Sequence, residues 1–599
     1  MMTIKTNRFT SILFIFSLLL GAPLFATTFY VDASNGNDSN NGTSTSTAWK
    51  SVAKAQQAPL KGGDALLFKR AQTFNGRFSL SYSGSAGNPI TIGAYGDGAR
   101  PIISSLGSYN HTFTSQGGNV WKANTPPSVS IERLGSATGE LLKATSLSDL
   151  NAKYNWYYDG QLYIYSTQNL SNTVLRYSKE STAFSASNRS YVDIKDIQID
   201  GGNRTSMSLS STSNVNLINV QAGKFTRVAL SVQNTTSNML IDKCVFDSQF
   251  TLDYFDAGTD SSTQRGTDDG VEVGGTTSNI EIRNSLFKDW GHSSINIYGT
   301  PGNGDVKDIK LHHNEMTAPH IAYGGRLAVD GDAHHVEIYN NYVHDVSNPS
   351  QINGHDNHFH HNIIDGVIRS PLHLSRQAGK GIAIQSYVGP VFNNLYENNL
   401  FMNTEDEGIY GSANYGMGDI YNNTIRNNIF YDCGKLNNGM MIRFNNSTHI
   451  RNNTITNNVF YSPLSTKTFS YHDSKNLLTL SEWETAARNG DVIKNNTNQK
   501  PEFVSLANKN YHLAANSTFL SYGIKPKALY DYASQAISAP YALGVYQASA
   551  GLALEPISVA PPAEPAPTEP TTTEPEPTFK NGPWKATPPQ AGKKKGVLE

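Results

Sequence analysis

Cysteine is nearly absent from this 599-residue chain, which holds two, Cys244 and Cys433. That excludes a disulfide-stapled scaffold, which needs several half-cystines in a short chain. Charge is scarce too: 16% of residues are Asp, Glu, Lys or Arg, and the formal net charge is -2. So neutral a chain lacks the basic stripe of a nucleic-acid binder, and no nucleic-acid partner is expected. After residue 26 no apolar run reaches the about 18 residues of a membrane span. Apolar residues make up 38%, low for a compact α/β enzyme, while 10% aromatics argue against general disorder.

The two ends read as segments apart from the fold. Lys5 and Arg8 precede an apolar run from Ile12 to Leu20, and Gly21, Ala22 and Ala26 follow. That layout predicts a signal peptide over 1–26, hence a secreted or periplasmic protein; the expected state is a monomer. Eleven of the 26 prolines lie between Pro556 and Pro589, so 548–599 is expected to be a disordered Pro-rich tail.

Between the ends, one phrase returns: a short alternating strand, an Asn, then an apolar pair. It reads EIRNSLF (281–287), KLHHNEM (310–316), EIYNNYV (337–343), HFHHNII (358–364), LYENNLF (395–401), TIRNNIF (424–430) and TITNNVF (454–460). Taken at 284, 314, 341, 362, 399, 428 and 458, the Asn recurs at intervals of 30, 27, 21, 37, 29 and 30. Period-2 strands, a variable unit and a constant turn residue predict an all-β right-handed parallel β-helix. Coils would stack at about 4.8 Å, with an Asn ladder along the stack and Ile282, Leu286 and Phe287 pointing inward. Cys244 and Cys433 then sit about six coils, or about 29 Å, apart, far beyond the reach of a disulfide, so both are expected as buried free thiols.

The expected organisation is an N-terminal region, 27–190, with an aromatic-rich β insertion over 121–180. A central repeat region (191–470) and a closing region (471–547) follow. Trp49–Ala58 is the one amphipathic helix expected, capping the open end of the stack.

YVDASNGND, NNGTSTSTAW, PITIGAYGDG and the Asn-phased coils resemble the secreted β-helix superfamily of carbohydrate-active proteins, pectate lyases and polygalacturonases among them. The resemblance covers about 27–545 and implies a polysaccharide substrate. It leaves open hydrolysis, lyase or epimerase chemistry, and non-catalytic binding.

The densest candidate site is GTDDGVEVGG (266–275). Strand alternation turns Val271 and Val273 inward and projects Asp268 and Glu272 outward, with Asp269 at the strand start. Three acids so close repel one another, which raises a pKa toward general-acid range or makes a calcium site of Asp268, Asp269 and Glu272. WGHSSINIYG (290–299) and GGRLAVDGD (324–332) follow. Similarity to polygalacturonases matches Asp268 and Asp269 to the acid pair, His292 to the histidine and Arg326 to the substrate-binding arginine. The family's GHG is GHS here, Ala328 replaces its lysine, and its NTD motif is missing. Tyr298, Tyr410 and Tyr415 are expected to bind sugar, the last two beside Glu405, Asp406 and Glu407. The hydrolase reading requires no cofactor; the lyase reading adds calcium, with Lys288, Arg326, His292 or Tyr298 as base or carboxylate partner.

Twelve of the 16 histidines fall between His292 and His373. Stacked, hydrogen-bonded turn histidines are the favoured reading over a metal site, with His292 and His335 the first to test.

Overall fold

The computed structural model describes residues 26–547, apart from 128–130, 132, 137–138, 153–154, 171–172, 250–267, 301, 303, 320–323, 348–349, 369–378, 414–416, 437, 446, 471–476 and 487–488. The expected signal peptide (but for Ala26) and the Pro-rich tail lie outside the described residues. No helix among the described residues is long and apolar enough to cross a membrane.

Strand alternation does what the pattern implies: Val271 and Val273 are fully buried while Glu272 points outward. Successive turns pair parallel and in register, with Ile280 on Ile309 and Ile282 on Leu311. Three long sheets of 14, 13 and 12 strands result, and the chain visits them in rotation. One turn runs Asp269–Val273 in the 13-stranded sheet, Thr277–Arg283 in the 14-stranded sheet and Leu286–Lys288 in the 12-stranded sheet. Ser293–Gly299 then begins the next turn. This is the expected right-handed parallel β-helix. Cys244 and Cys433 are buried free thiols, pushed up to about 12 by burial.

Between the 14- and 12-stranded sheets each turn carries a residue in the left-handed backbone region, then a buried ladder residue. His313, Asn340, His361, Asn398, Asn427 and Asn457 occupy the first position, with φ between 52° and 58°. Asn314, Asn341, Asn362, Asn399, Asn428 and Asn458 occupy the second. Asn341 Oδ1 accepts from Asn314 N (3.1 Å) and Nδ2 (3.0 Å), and Asn341 Nδ2 donates to Leu311 O (2.9 Å). Each step satisfies corner groups that no strand can pair. A parallel ladder, Asn357–Asn394–Asn423–Asn453, closes on Asp491, whose carboxyl burial pushes up to about 6.

This corrects the phasing at one turn. Asn284 has φ 50° and so takes the left-handed position, while Ser285 is the ladder residue, accepting the role through Asn314 Oδ1. The inward expectation for Leu286 is corrected too: it is half-buried in the outward column that continues through Glu315, Tyr342 and Ile363, and Phe287 is the inward residue.

Ends and sides are covered by different means. α1 (Val52–Ala55) is a single turn, capped by Ser51 Oγ, and is shorter than expected because Trp49 bridges to Val31 in extended conformation. A second helix, α2 (Leu480–Thr485), corrects the expectation of one. Its capping box joins Thr479 and Glu482, and its Trp483 stacks on Phe469 at 4.6 Å. Leu106–Ser178 leaves the helix as two four-stranded antiparallel sheets over a separate core that includes Trp156, Ile164 and Leu175. Residues 503–546 return as a strap. Its Tyr511, Phe519 and Leu543 bury the outward Ile363, Leu400 and Ile429 of the 12-stranded sheet.

Asn399 bonds the turns on both sides, donating to Phe359 O and to Asn428 Oδ1 and accepting from Asn362. Asn399→Ala leaves several buried groups unpaired, so stability should fall by about 2–4 kcal/mol. The urea midpoint reads this; an unchanged midpoint would mean the ladder does not hold the stack.

Candidate active site on the 13-stranded sheet

The outward residues of the 13-stranded sheet form columns, because parallel strands pair in register. Ser231, Glu272, Asn296, Ala328 and Gln351 make one such column, and Asp269, Ser293 and Arg326 its neighbour. Gly270 lets the acidic strand lie flat on the next turn: a Cβ there would stand 2.4 Å from Ser294 O.

The structure brings Asp268, Asp269, Glu272, His292 and Arg326 together. Asp269 Oδ1 accepts from Ser293 N (2.9 Å) and meets His292 Nδ1 (2.9 Å), while Oδ2 accepts from Asn296 Nδ2 (3.1 Å). Arg326 reaches back one turn, with NH2 2.5 Å from His292 Nε2 and Nε donating to Ser293 Oγ at 2.9 Å. Its NH1 donates to Gln351 on the following turn. Asp268 pairs with Arg227 from the turn before. Acids on one turn are thus bracketed by cations from both sides.

That bracket separates the titrations. Burial works against the Asp269 charge, but His292, Arg326 and the Asn296 amide outweigh it and hold the carboxyl below the usual carboxylate range. Glu272 goes the other way: burial, reinforced by the charges of Asp269 and Asp268 and by a hydrogen bond with Asp269, pushes it up to about 8. At neutral pH the cluster holds an ionised Asp269 against a protonated Glu272.

Other expected residues fare differently. Tyr298 is 40% exposed on the same face and pairs in register with Asp330, which lies 4.0 Å from Arg326. Lys288 ends a strand of the 12-stranded sheet beside Asp247 and Asp289, so the structure does not bring it into the cluster. Tyr410 lies five turns further along the Glu272 column, about 24 Å at the coil rise. It is 7% exposed, with Lys380 and Arg443 5.1 and 5.0 Å from its ring, and so is no open sugar platform. Asp406 and Glu407 are buried in ion pairs with Lys380 (3.1 Å) and Arg443 (2.8 Å), and Glu405 is half-buried. Tyr415 lies outside the described residues.

Arg227, Asn296 and Gln351 were not legible as site residues from local motifs. Their signal is register: Arg227 meets Asp268 and Asn296 faces Glu272 once the turns are aligned, and Gln351 lies one turn beyond Arg326 and accepts from it.

Asp269→Asn removes the neighbouring charge that contributes most to the Glu272 shift. The infrared carboxyl band lost in Glu272→Gln should titrate near pH 8 in the wild type and distinctly lower in Asp269→Asn. Coincident titrations would show that the two groups do not interact.

No family model matches the chain. A stretch of 88 residues is 41% identical to a lacto-N-biosidase of Bifidobacterium longum subsp. longum, covering 14% of this chain and 5% of that protein. Among solved structures, a GH136 lacto-N-biosidase from Eubacterium ramulus aligns over 75% of this chain and 67% of its own, at 14% identity and a TM-score of 0.39. A PL6 family polysaccharide lyase from Pseudopedobacter saltans aligns over 84% and 99%, at 13% identity and 0.42. A pectate lyase aligns over 87% and 96%, at 12% identity and 0.40.

Proposed function

We propose that this protein is an exported carbohydrate-active enzyme that hydrolyses glycosidic bonds of a polysaccharide, with Glu272 as the proton donor. The observation that carries this reading is the outward Glu272 carboxyl, set beside Asp269 and Asp268 and kept protonated near neutral pH by burial first and by those neighbouring charges second. A general acid needs a pKa near the working pH, and like-charge neighbours supply it. The 88-residue likeness to a lacto-N-biosidase is in keeping with a sugar substrate.

The roles follow from position. Glu272 gives its proton to the glycosidic oxygen as the bond to the anomeric carbon breaks. Both oxygens of Asp269 are already engaged, by Ser293 N and His292 on one side and by Asn296 on the other, so Asp269 supplies the charge beside Glu272. The base therefore falls to Asp268, whose charge also bears on Glu272 and which pairs with Arg227. Asp268 takes the proton of the attacking water. His292 and Arg326 position Asp269, and the exposed Tyr298 offers an aromatic face to a sugar.

The lyase reading with calcium on the same acids has less support. Arg227 already pairs with Asp268, and His292, Asn296 and Arg326 surround Asp269, so a hard cation would meet positive charge where it needs oxygen donors.

Incubation with a panel of polysaccharides should release reducing ends without the ultraviolet absorbance of an unsaturated uronate; that absorbance would establish elimination instead. Glu272→Gln should lower kcat/KM by about 10²–10⁴-fold. Because the acid must carry its proton, wild-type kcat/KM should fall as pH rises through about 8, and Asp269→Asn should move that falling limb to lower pH. An active Glu272→Gln enzyme would place the chemistry elsewhere.

A further inference from the structure

The 14-stranded sheet carries a second cluster, away from Glu272. The strand His358–His360 reads His-Phe-His, so Phe359 is buried inward and both imidazoles share the outer side. Glu337 on the preceding turn pairs in register with His358. One ligand atom from each of Glu337, His358 and His360 lies within 4.8 Å of the others.

We infer that Glu337, His358 and His360 form a binding site for a divalent transition metal of the zinc type. His360 Nε2 is buried, makes no hydrogen bond among the described residues, and stands 3.5 Å from Glu337 Oε1. A tetrahedral zinc with ligands at about 2.0–2.1 Å separates neighbouring donors by about 3.3 Å, so this gap is the width of an ion. Two imidazoles select zinc, cobalt or nickel over calcium and magnesium, which take oxygen.

The supporting shell is in place. His358 Nε2 is 2.9 Å from Glu397 Oε1, which leaves Nδ1 as its ligand atom. Glu397 is itself held by Arg426 at 2.7 Å and by the backbone N–H groups of Lys527 and Ala528 in the strap. A carboxylate behind a ligating histidine fixes its ring and tautomer. Lys310 Nζ sits 3.7 Å from Glu337 Oε2 on a side chain 57% exposed, and can swing out when a metal takes the carboxylate. Water completes the coordination on that side. Because Glu397 joins the cluster to Lys527 and Ala528, a bound ion ties three turns and the strap into one unit.

The other histidines do not share this geometry. His312 stacks on Tyr339 at 4.6 Å, and His334, His355 and Phe392 stack at 4.7 Å each. His335 is exposed at a left-handed turn.

The test uses the full chain, stripped with a chelator and titrated with ZnCl₂ and, separately, CoCl₂ and CaCl₂. Calorimetry should give one zinc per chain and no calcium at this site, and absorption spectroscopy of the cobalt-loaded chain should show the visible bands of a four-coordinate His/carboxylate site. The melting temperature should rise with zinc. Glu337→Gln should weaken zinc binding at least about 10-fold, Glu397→Gln by about 10–100-fold, and His360→Gln should abolish it. Glu337 is half-exposed, so its variant keeps the test intact if His360→Gln does not fold. Absent stoichiometric binding, or zinc binding unchanged by Glu337→Gln and Glu397→Gln, would overturn the inference.

Discussion

The buried amide ladder at the corners is the interaction on which the rest of this structure depends. A chain that turns every few residues presents backbone N–H and C=O groups to its own core, and no strand partner is available for them at a bend. Asn solves this because one side chain offers both an acceptor and two donors. Asn362 accepts from Asn341 and donates to Ile338 O and Asn399 Oδ1, so each rung binds the turns before and after it. The ladder thereby sets register as well as stability: one residue of slip would unpair every rung at once.

Register in turn builds the chemistry. The acids of the Glu272 cluster come from one turn, yet the groups that set their ionisation come from three: Arg227 before, His292 and Asn296 after, and Arg326 beyond. Parallel in-register stacking holds these at a spacing of about 4.8 Å, so a short acidic stretch and lone cations become one charge-balanced array. The same rule places Glu337 beneath His358 on another sheet. Each sheet is a grid on which residues 20 to 40 apart in sequence become neighbours.

Much of this was legible in the sequence, because repetition is a strong signal. Fold class and free thiols follow from spacing, and the resemblance to polygalacturonases implied the joining of Asp269, His292 and Arg326. What escaped did so for physical reasons. Asn284 looks like its counterparts, but the next residue, Ser285, does their work with a shorter side chain, so the letter misleads about phase. Leu286 misleads because the strap covers its apolar column mates Ile363, Leu400 and Ile429, so outward positions there read as core. α2 is signalled by Thr479 and Glu482, yet six residues give too little periodicity to stand out among strands. Tyr410 sits in a loop-like stretch rich in acids, and only the register shows Lys380 and Arg443 arriving over its ring. His-Phe-His at 358–360 is plain alternation until Glu337 is set beside it.

The strap has a consequence for how such a molecule can change over evolutionary time. Solenoids commonly lengthen by duplicating a repeat, since each unit touches only its neighbours. Here the strap reads successive turns like a ruler: Asn340 donates to Asp531 O, Asn398 to Ala542 O and Gly544 O, Asn427 to Ile524 O and Asn457 to Tyr522 O. An extra turn inserted between Asn340 and Asn457 would push those amides past their carbonyls by one coil rise. Growth in this stretch is confined to the loops between strands, while the region before Asn340 is not gauged by these contacts and can gain or lose whole turns.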